Sequence, residues 1–375
     1  MLRALQRRHL LLAAGALAAT PVLPRLAAAE DGYGYEWGIP WVPNSDSDID
    51  IVDIPAGGLK AGDFPQGSPD KLLLLVAPRD SFTRFVVGRQ LRYRGVVLIG
   101  ATIRKVGGRL CEAPSGNLLP GGHTLMFQFD GEVDRNGHNP FLFVANIDFE
   151  AADSKWGDFL QTGTRRTGDG GNFGQWCDVY LQKIRVGSGH YGWTAPGGNR
   201  EPHSDFVQFN RGGVRSLKVA DCDIRWGYQT FFTRLTERER PHPDGEHVFR
   251  RVVTRPMPDD LSVSRREERI ARYLVASSSG EATREGRYQP HRIDDWTAEA
   301  DEDADSLRRH FGAPGADLRV DGNRLSWDQD GGRRPLIDGS VRFGRDVGTV
   351  VRGSQVGADL RVADADTLRR IARTS

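Results

Sequence analysis

The chain has 375 residues, with 45 Gly and 20 Pro but only three Met. That composition favours many short strands and turns over long helices. A formal net charge of +1 gives no reason to expect nucleic acid or an anionic membrane surface as a partner. We therefore expect an all-β protein that binds neither of these.

Residues 1–29 have the features of an export signal and are set aside from the fold. Arg7 and Arg8 give a positive start, and an apolar run follows over Leu10–Ala19. Ala27–Ala29 form a cleavage signal of small residues. The adjacent arginines resemble a twin-arginine signal, with an ordinary secretory signal as the alternative. The apolar run is shorter than the roughly 20 residues of a membrane-spanning helix. We expect a periplasmic or secreted mature protein without a membrane anchor.

Residues 30–90 are expected to form an N-terminal cap and the first strands. Leu72–Val76 is a short apolar run of the kind that forms a buried strand. The open end of a core built from repeats needs such a cap. The three cysteines, Cys111, Cys177 and Cys222, allow at most one disulfide in an oxidising compartment.

Two short units alternate within residues 91–255, which we take as the core of the fold. The first is strand-like in composition and occurs at residues 125–128, 158–161, 205–208 and 230–233. The second occurs at residues 101–105, 145–149, 182–186, 220–224 and 250–254. The unequal spacings leave room for loops of different length. A ladder of coils explains this alternation better than a sandwich or an antiparallel barrel.

Stacking the second unit from coil to coil places charges of alternating sign in one column. Neighbouring coils bring equivalent residues to about 4.8 Å, where opposite charges stabilise each other. The predicted charge column contains Arg104, Asp148, Arg185 and Asp223. The flanking apolar columns contain Ile103, Ile147, Ile184, Cys222 and Val252 on one side, and Phe149, Val186 and Ile224 on the other. We therefore predict that Asp148 lies beside Arg185.

The stretch His203–Phe209 reads H-S-D-F-V-Q-F and resembles the H-x-D-x-x-Q element of secreted proteins of the pectate-lyase-like superfamily. Arg94–Gly100 resembles the entry into their β-helix. The resemblance covers residues 90–255 and implies a right-handed parallel β-helix (a solenoid) with carbohydrate as the ligand class. The superfamily includes polysaccharide lyases, glycoside hydrolases, uronate epimerases and non-catalytic adhesin modules, so this fold does not by itself define the reaction.

Stacking the first unit creates a column of amide side chains. The column contains Gln128, Gln161, Gln208 and Thr233. Stacked amides hydrogen-bond from coil to coil, so we expect Gln161 beside Gln208. If the glutamines point inward, strand alternation turns Asp158 and Asp205 outward on adjacent coils, with His203 nearby in a groove open to solvent. The alternative is that these aspartates only cap turns or accept hydrogen bonds from neighbouring backbone amides.

Two stacked carboxylates repel, so one binds a proton unusually tightly or both share a cation. A Ca²⁺ ion on Asp158 and Asp205 would acidify the proton next to a uronate carboxylate, as a lyase or an epimerase needs. A retaining glycosidase instead holds two carboxyl groups about 5–5.5 Å apart. The candidate catalytic residues are His203, Asp205, Lys183 and Arg211, with Lys218 as a further candidate base.

The longest insertion inside the repeat, between Val186 and Pro202, carries aromatic rings that can stack on sugar faces. Those rings belong to Tyr191 and Trp193. The candidate substrate-binding residues are Asp158, His190, Tyr191, Trp193 and Gln208, although His190 also fits an ordinary loop histidine.

Residues 256–375 are expected to form a charged, partly helical covering arm followed by terminal strands. Ser264–Tyr273 and Asp301–Phe311 are the best helix candidates. The pentapeptide Ala-Asp-Leu-Arg-Val occurs at residues 316–320 and again at 358–362, which predicts short strands before the end of the chain. We expect no separate domain there.

Together these features predict an exported protein that acts on a uronate-containing polysaccharide, most simply as a lyase. A C5 epimerase or glycoside hydrolase, and a non-catalytic glycan-binding protein in polysaccharide export or assembly, are the alternatives. The chain has no C-x-x-C, H-E-x-x-H, G-x-S-x-G, Walker or dinucleotide-binding motif. A divalent cation such as Ca²⁺ is therefore the only cofactor that the sequence supports.

Overall fold

The computed structural model describes residues 33–82, 86–105, 124–130, 133–151, 158–164, 176–188, 205–209, 213–225, 229–235, 242–255, 273–278, 291–299, 318–321, 324–329, 332–344 and 356–374. Its contacts separate a unit spanning Met1–Gly34 from a unit spanning Tyr35–Ser375. The predicted export signal lies outside the described residues, and the fold below belongs to the second unit.

The described strands form two sheets, and consecutive strands alternate between them from β2 to β14. The large sheet has the order β1 (Ile49–Asp53), β2 (Leu72–Val76), β4 (Gly95–Lys105), β6 (Phe141–Ala151), β8 (Cys177–Ser188), β10 (Val214–Arg225), β12 (His247–Arg255), β14 (His291–Glu299), β17 (Gly332–Gly344), β16 (Arg324–Gln329) and β15 (Leu318–Asp321). The small sheet has the order β13 (Tyr273–Ser278), β11 (Gln229–Leu235), β9 (Asp205–Phe209), β7 (Leu160–Thr164), β5 (Leu125–Phe129) and β3 (Val86–Leu91).

Neighbouring strands run parallel throughout this array, except that β15, β16 and β17 pair antiparallel at one end. The prediction of an all-β protein with parallel strands is therefore confirmed. The core lies between the two sheets, because one cluster of buried apolar side chains draws on both. For example, the Phe149 ring of the large sheet lies 5.0 Å from the Phe159 ring at the entry to β7.

The predicted charge column is confirmed in its central part. Asp148 lies opposite Arg185, whose Nε lies 2.9 Å from Asp148 Oδ1, and Asp223 lies opposite Arg185 on the other side. Arg104 is two residues out of the predicted register and lies opposite Glu150. Its Nη2 nevertheless donates to Asp148 Oδ2 at 2.5 Å. The long arginine side chain thus restores a contact that the backbone register alone would miss.

The apolar columns show the same two-residue error at their first member. Ile147, Ile184, Cys222 and Val252 follow one another as predicted, but Ala101 precedes them. Ile103 instead lies opposite Phe149, in the second column. Because Ala101 and Ile103 are both apolar and two residues apart, either register preserves the alternation. The sequence pattern therefore could not choose between them.

One corner of the large sheet consists of residues in the left-handed conformation. Asn146, Lys183, Asp221 and Arg251 have φ of 55°, 52°, 54° and 51°, and they occupy successive strands in register. Gly100, with φ of 73°, precedes them. This backbone is costly for residues with a Cβ, so its repetition marks a turn imposed by the fold on each strand.

A C-terminal segment packs against this corner. The Gly357 amide donates to the Asn146 carbonyl at 2.9 Å, and the Val362 amide donates to the Ile99 carbonyl at 3.2 Å. A Cβ at Gly100 would collide with the backbone of the same segment. The helix α1 (Ala365–Thr374) follows and buries Leu368 and Ile371.

Three expectations for the C-terminal region need correction. β13 and β14 continue the parallel sheets within the region expected to be a covering arm, so the array extends past residue 255. The second Ala-Asp-Leu-Arg-Val copy contains a 3₁₀ turn at Ala358–Leu360 instead of a strand, whereas the first contains β15. Tyr273, expected at a helix end, begins β13. Residues 264–272 and 301–311 lie outside the described residues.

The buried strand predicted at Leu72–Val76 is confirmed, whereas the N-terminal cap over residues 30–90 stays a prediction. Leu72–Val76 forms β2 with every residue buried, and β1 precedes it as the edge strand of the large sheet. Cys177 and Cys222 are buried free thiols, so these two do not form a disulfide with each other. Cys111 lies outside the described residues.

Candidate functional site

The aspartate pair that motivated the sequence-based site lies together but is buried. Strand register puts Asp158 beside Asp205, and the Asp205 amide donates to Asp158 Oδ1 at 2.7 Å. Their relative exposures are 1% and 0%. The expectation that this pair opens onto a solvent groove is therefore wrong. The alternative, in which Asp158 accepts from a neighbouring backbone amide, is what the structure contains.

The reason is that the strands turn the other way from the prediction. Leu160 and Val207 lie two residues after the aspartates, so the predicted alternation would also place them outside. They are fully buried in the core, whereas the side chains of Gln161 and Gln208 are only partly buried. Burying an aliphatic side chain stabilises by about 1.5–3 kcal/mol, and the two amides satisfy each other at 2.9 Å from Gln161 Nε2 to Gln208 Oε1. The pairing was correctly predicted, and its inward orientation was wrong.

The other members of the predicted amide column are not in it. Gln128 lies opposite Gly163, and Gln208 lies opposite Phe232, so Thr233 is displaced by one residue. The column therefore reduces to the single pair of glutamines. That pair lies on a partly exposed surface, where Gln208 stays a candidate for substrate contact.

Burial controls the protonation of Asp205. Loss of solvent, followed by repulsion from Asp158, raises the pKa of the Asp205 carboxyl well above its usual range. Neither of its carboxyl oxygens has a hydrogen-bond partner in the part of the chain that the structure describes. Asp205 is therefore a buried acid that holds its proton to a higher pH than an exposed aspartate does.

This pair does not fit a Ca²⁺ ion. Calcium takes about six to eight oxygen ligands, whereas two aspartates offer at most four, and Asp158 Oδ1 already accepts from a backbone amide. Among the described residues, no group of three or more His, Cys, Asp or Glu side chains is placed to hold a metal.

Several predicted site residues lie outside the described residues and stay predictions. They are His190, Tyr191, Trp193, His203 and Arg211. Lys183 is described, but it belongs to the corner of the large sheet and Asp205 to the small sheet. The structure therefore does not bring Lys183 and Asp205 onto one strand ladder. Burial lowers the pKa of the Lys183 ammonium, an effect that Asp221 opposes.

A second cluster of polar and aromatic groups lies on the outer face of the large sheet, the side away from the core. On β8, Val179 and Leu181 enter the core, so Asp178, Tyr180 and Gln182 point to the outer face. The half-buried Trp176 immediately precedes the strand. A polar and aromatic row therefore crosses this face along one strand.

Lys218 on β10 lies directly opposite Tyr180 on β8. Its Nζ is 5.0 Å from the centre of the Tyr180 ring and 6.0 Å from that of Trp37. It has no ion-pair partner in the described part of the chain. Beside it, Arg215 Nε donates to Asp178 Oδ1 at 2.8 Å. We call Lys218, Tyr180, Trp37, Asp178 and Arg215 the Lys218 site.

The environment shifts the two central groups of this site in opposite directions. Burial is the main cause that lowers the pKa of Lys218; Asp178 opposes it and Arg215 adds to it. Burial and then Asp178 raise the pKa of Tyr180 to about 12. Lys218 therefore loses its proton more readily than an ordinary lysine, while Tyr180 keeps its own. Groups with pKa values pushed apart in this way are suited to act as base and acid.

The N-terminal segment Tyr35–Trp37, which we call the strap, crosses the outer face beside this site. The Trp37 amide donates to Gln182 Oε1 at 3.0 Å, and Gln182 Nε2 donates to the Trp37 carbonyl at 2.8 Å. Glu36 pairs with Arg250 and Arg251. The strap thereby brings the Trp37 ring to Lys218.

A buried histidine pair is a further cluster that the sequence analysis missed. His247 Nδ1 and His291 Nε2 are 3.4 Å apart, and the Thr233 hydroxyl is 3.3 Å from His291 Nε2. Burial, and then His291, lower the pKa of His247 well below its usual range. Because the two histidines are 1% and 3% exposed, a polymer cannot reach them. We interpret them as polar members of the core.

The sequence analysis named Lys218 only as an alternative base and missed Tyr180 and Trp37. A signal for Tyr180 was present, because residues 177–182 alternate between apolar and polar types. No local signal pointed to Trp37. It lies 181 positions before Lys218 and reaches that residue only through the fold.

Comparisons with known proteins give no identification. No protein-family model matches the chain, and no curated protein or solved structure is significantly similar to it. The resemblance to the pectate-lyase-like superfamily therefore stays a prediction. Among the described residues, no helix has the length and apolar character needed to span a membrane.

Proposed function

We propose that the protein is an exported right-handed parallel β-helix that cleaves an acidic, uronate-containing polysaccharide as a lyase, at the Lys218 site. The alternation of parallel strands between two sheets, with in-register columns, supports a solenoid of coils. The observation that carries the reaction is the half-buried Lys218 amine beside the Tyr180 ring, without an ion-pair partner in the described part of the chain.

The chemistry follows from the opposite pKa shifts. The Lys218 amine takes the proton next to the uronate carboxylate, and the electron pair of that C–H bond forms the new carbon–carbon double bond. The glycosidic C–O bond on the adjacent carbon breaks, and the Tyr180 hydroxyl donates its proton to the leaving oxygen. Arg215 and Arg250 lie close enough to affect the pKa of Lys218 and supply positive charge for the substrate carboxylate.

The second candidate is a non-catalytic glycan-binding protein. The Trp37 and Tyr180 rings with the neighbouring cations would also hold an anionic sugar without proton transfer. An epimerase would use the same proton abstraction but return the proton to the opposite face. The hydrolase alternative is the least supported, because the aspartate pair that suggested it is buried.

The test is an absorbance screen at about 235 nm against a panel of uronate polymers, since a lyase forms an unsaturated product when the base removes its proton. The key variant is Lys218→Arg, which keeps the charge but cannot accept a proton. We expect turnover to fall by about a hundredfold or more with polymer binding retained. Lys60→Arg, the same change at an exposed residue, is the matched control.

Each other outcome is informative. Loss of turnover in Lys183→Arg but not in Lys218→Arg would return the base to Lys183. Binding that Lys218→Ala abolishes, without product from any polymer, would favour the glycan-binding candidate. Neither product nor binding across the panel would contradict the proposed function.

A further inference from the structure

We propose that the strap Tyr35–Trp37 is a built-in wall of the Lys218 site, which encloses the Lys218 amine and thereby determines its reactivity. Trp37 is thus a positioning residue that acts through Lys218. The consequence for turnover rests on the proposed function, but the effect on the amine itself does not.

The strap is anchored at each of its three residues. The Trp37 backbone exchanges two hydrogen bonds with the side chain of Gln182, which is fully buried. Asn146 Nδ2 donates to the Tyr35 hydroxyl at 2.8 Å, and the Tyr35 ring packs edge-on against Phe143. These contacts use strands β6 and β8, so the strap has a defined position on the outer face.

Glu36 provides the third anchor and arranges the cations. Its carboxylate accepts from Arg250 and from Arg251 Nη2, the latter at 2.8 Å. Arg250 also lies 5.5 Å from the centre of the Trp37 ring. The strap therefore holds one guanidinium near the site as well as adding an aromatic ring. A neighbouring cation disfavours the charged form of Lys218.

The charged groups around Lys218 come from three strands and the loop before β12. Asp178 of β8 and Glu246, just before β12, favour its charged form, while Arg215 of β10 and Arg250 of β12 oppose it. The two acidic groups therefore raise the pKa of Lys218, and the two arginines lower it. The burial that the walls of the site impose is the largest influence on the amine.

The Trp37 ring has two opposing effects on the amine, and their sizes decide the direction. As a π system it favours the ammonium, but about 6 Å is the outer limit of that attraction, which is weak at exposed sites. As a wall it keeps water from the amine, and burial can move the pKa of a lysine by several units. We therefore expect removal of the ring to make Lys218 harder to deprotonate.

The experiment measures the reactivity of Lys218 directly. Whole protein is treated with acetic anhydride over a range of pH, and acetylation of each lysine is followed by peptide mass spectrometry. Exposed Lys60 serves as the internal reference. The variants are Trp37→Leu, which removes the ring, Trp37→Phe, which keeps an aromatic wall, and Trp176→Leu, the same change elsewhere on the outer face.

We expect the labelling midpoint of Lys218 to rise by about half a pH unit or more in Trp37→Leu, a roughly threefold lower fraction of free amine at a fixed pH below the midpoint. Trp37→Phe should shift it less, and Trp176→Leu should leave it unchanged. An unchanged or lower midpoint in Trp37→Leu would overturn the proposal. So would an equal shift in Trp176→Leu.

Two further measurements keep the outcome decisive. If Trp37→Leu does not fold, Tyr35→Phe removes the hydrogen bond between the strap and Asn146 without changing the Trp37 ring or any charge, and it should shift the midpoint in the same direction by a smaller amount. If the wild type proves to be a lyase, the alkaline shift should also appear in its pH–rate profile. A shifted labelling midpoint in a protein that has no lyase turnover would support the role of the strap and contradict the proposed lyase function. Lyase turnover with an unshifted midpoint would support the lyase function and contradict the role of the strap.

Discussion

Two regions of the molecule place ionisable residues on neighbouring parallel strands, with opposite results. At the small sheet, Asp158 and Asp205 are adjacent, and burial raises the pKa of Asp205 well above its usual range. On the outer face of the large sheet, Tyr180 and Lys218 are adjacent, and burial moves their pKa values apart. Tyr180 is only 8% exposed, whereas Lys218 is half-buried. In both regions the two residues are neighbours on adjacent strands. The difference is solvent exposure, because both aspartates are buried whereas the half-buried Lys218 can react.

The largest expected effect tests whether the first region is structural. Phe206 is fully buried and stacks on Phe159, with ring centres 4.9 Å apart. We expect Phe206→Ala to lower the free energy of unfolding by about 3–5 kcal/mol, because it removes a core ring and leaves a cavity. Tyr180→Phe keeps its ring and should change stability by less than about 1 kcal/mol. Denaturant unfolding measures both, and equal losses would remove the distinction between the regions.

Asp205→Asn gives a smaller effect that depends on pH. The folded protein keeps the Asp205 proton to a higher pH than the unfolded chain, whose aspartates titrate at about pH 3.9. Above that pH the unfolded state therefore binds fewer protons, and wild-type stability falls as pH rises, by about 1.4 kcal/mol per pH unit for one proton. The variant should lack this contribution, which ends at the folded pKa.

The measurement is the difference in unfolding free energy between wild type and Asp205→Asn from about pH 4 to pH 7. A constant difference across this range would mean that Asp205 is not a buried acid. Turnover on any substrate found should stay within about twofold of wild type, because Asp205 is inaccessible to a polymer. A hundredfold loss of turnover in Asp205→Asn would instead support the site predicted from the sequence, in which Asp205 is a catalytic residue.

The smallest effect concerns the glutamine pair. Gln161 and Gln208 are partly exposed and share one hydrogen bond. We expect a double-mutant cycle with Gln161→Ala and Gln208→Ala to give a coupling energy of about 0.5–1.5 kcal/mol, the net value of one hydrogen bond. A coupling of zero would mean that the pair is held apart by solvent. Loss of glycan binding in Gln208→Ala alone would extend the candidate site to the small sheet.

The predictions from sequence succeeded where a feature depends on matching neighbours. Asp148 with Arg185 and Gln161 with Gln208 are separated by tens of residues, yet each pair follows from stacking similar units. The predictions failed where the local sequence is equally compatible with two registers or two strand orientations. The register of Arg104 is ambiguous because apolar residues two positions apart flank the shift, and the orientation of β7 is ambiguous because Phe159 and Leu160 are consecutive.

The amino-acid pattern was sufficient to predict parallel strands and several of their partners, because strand periodicity and cross-strand complementarity are local properties that repeat. It was not sufficient to predict which side chains reach solvent. Where consecutive residues are both apolar, the opposite sheet decides which face is covered, as it did for Leu160 and Val207. Trp37 contacts Lys218 only because the N-terminal strap crosses the outer face. Burial and long-range contact depend on the whole packed structure, and the chemistry of Asp205 and Lys218 depends on burial.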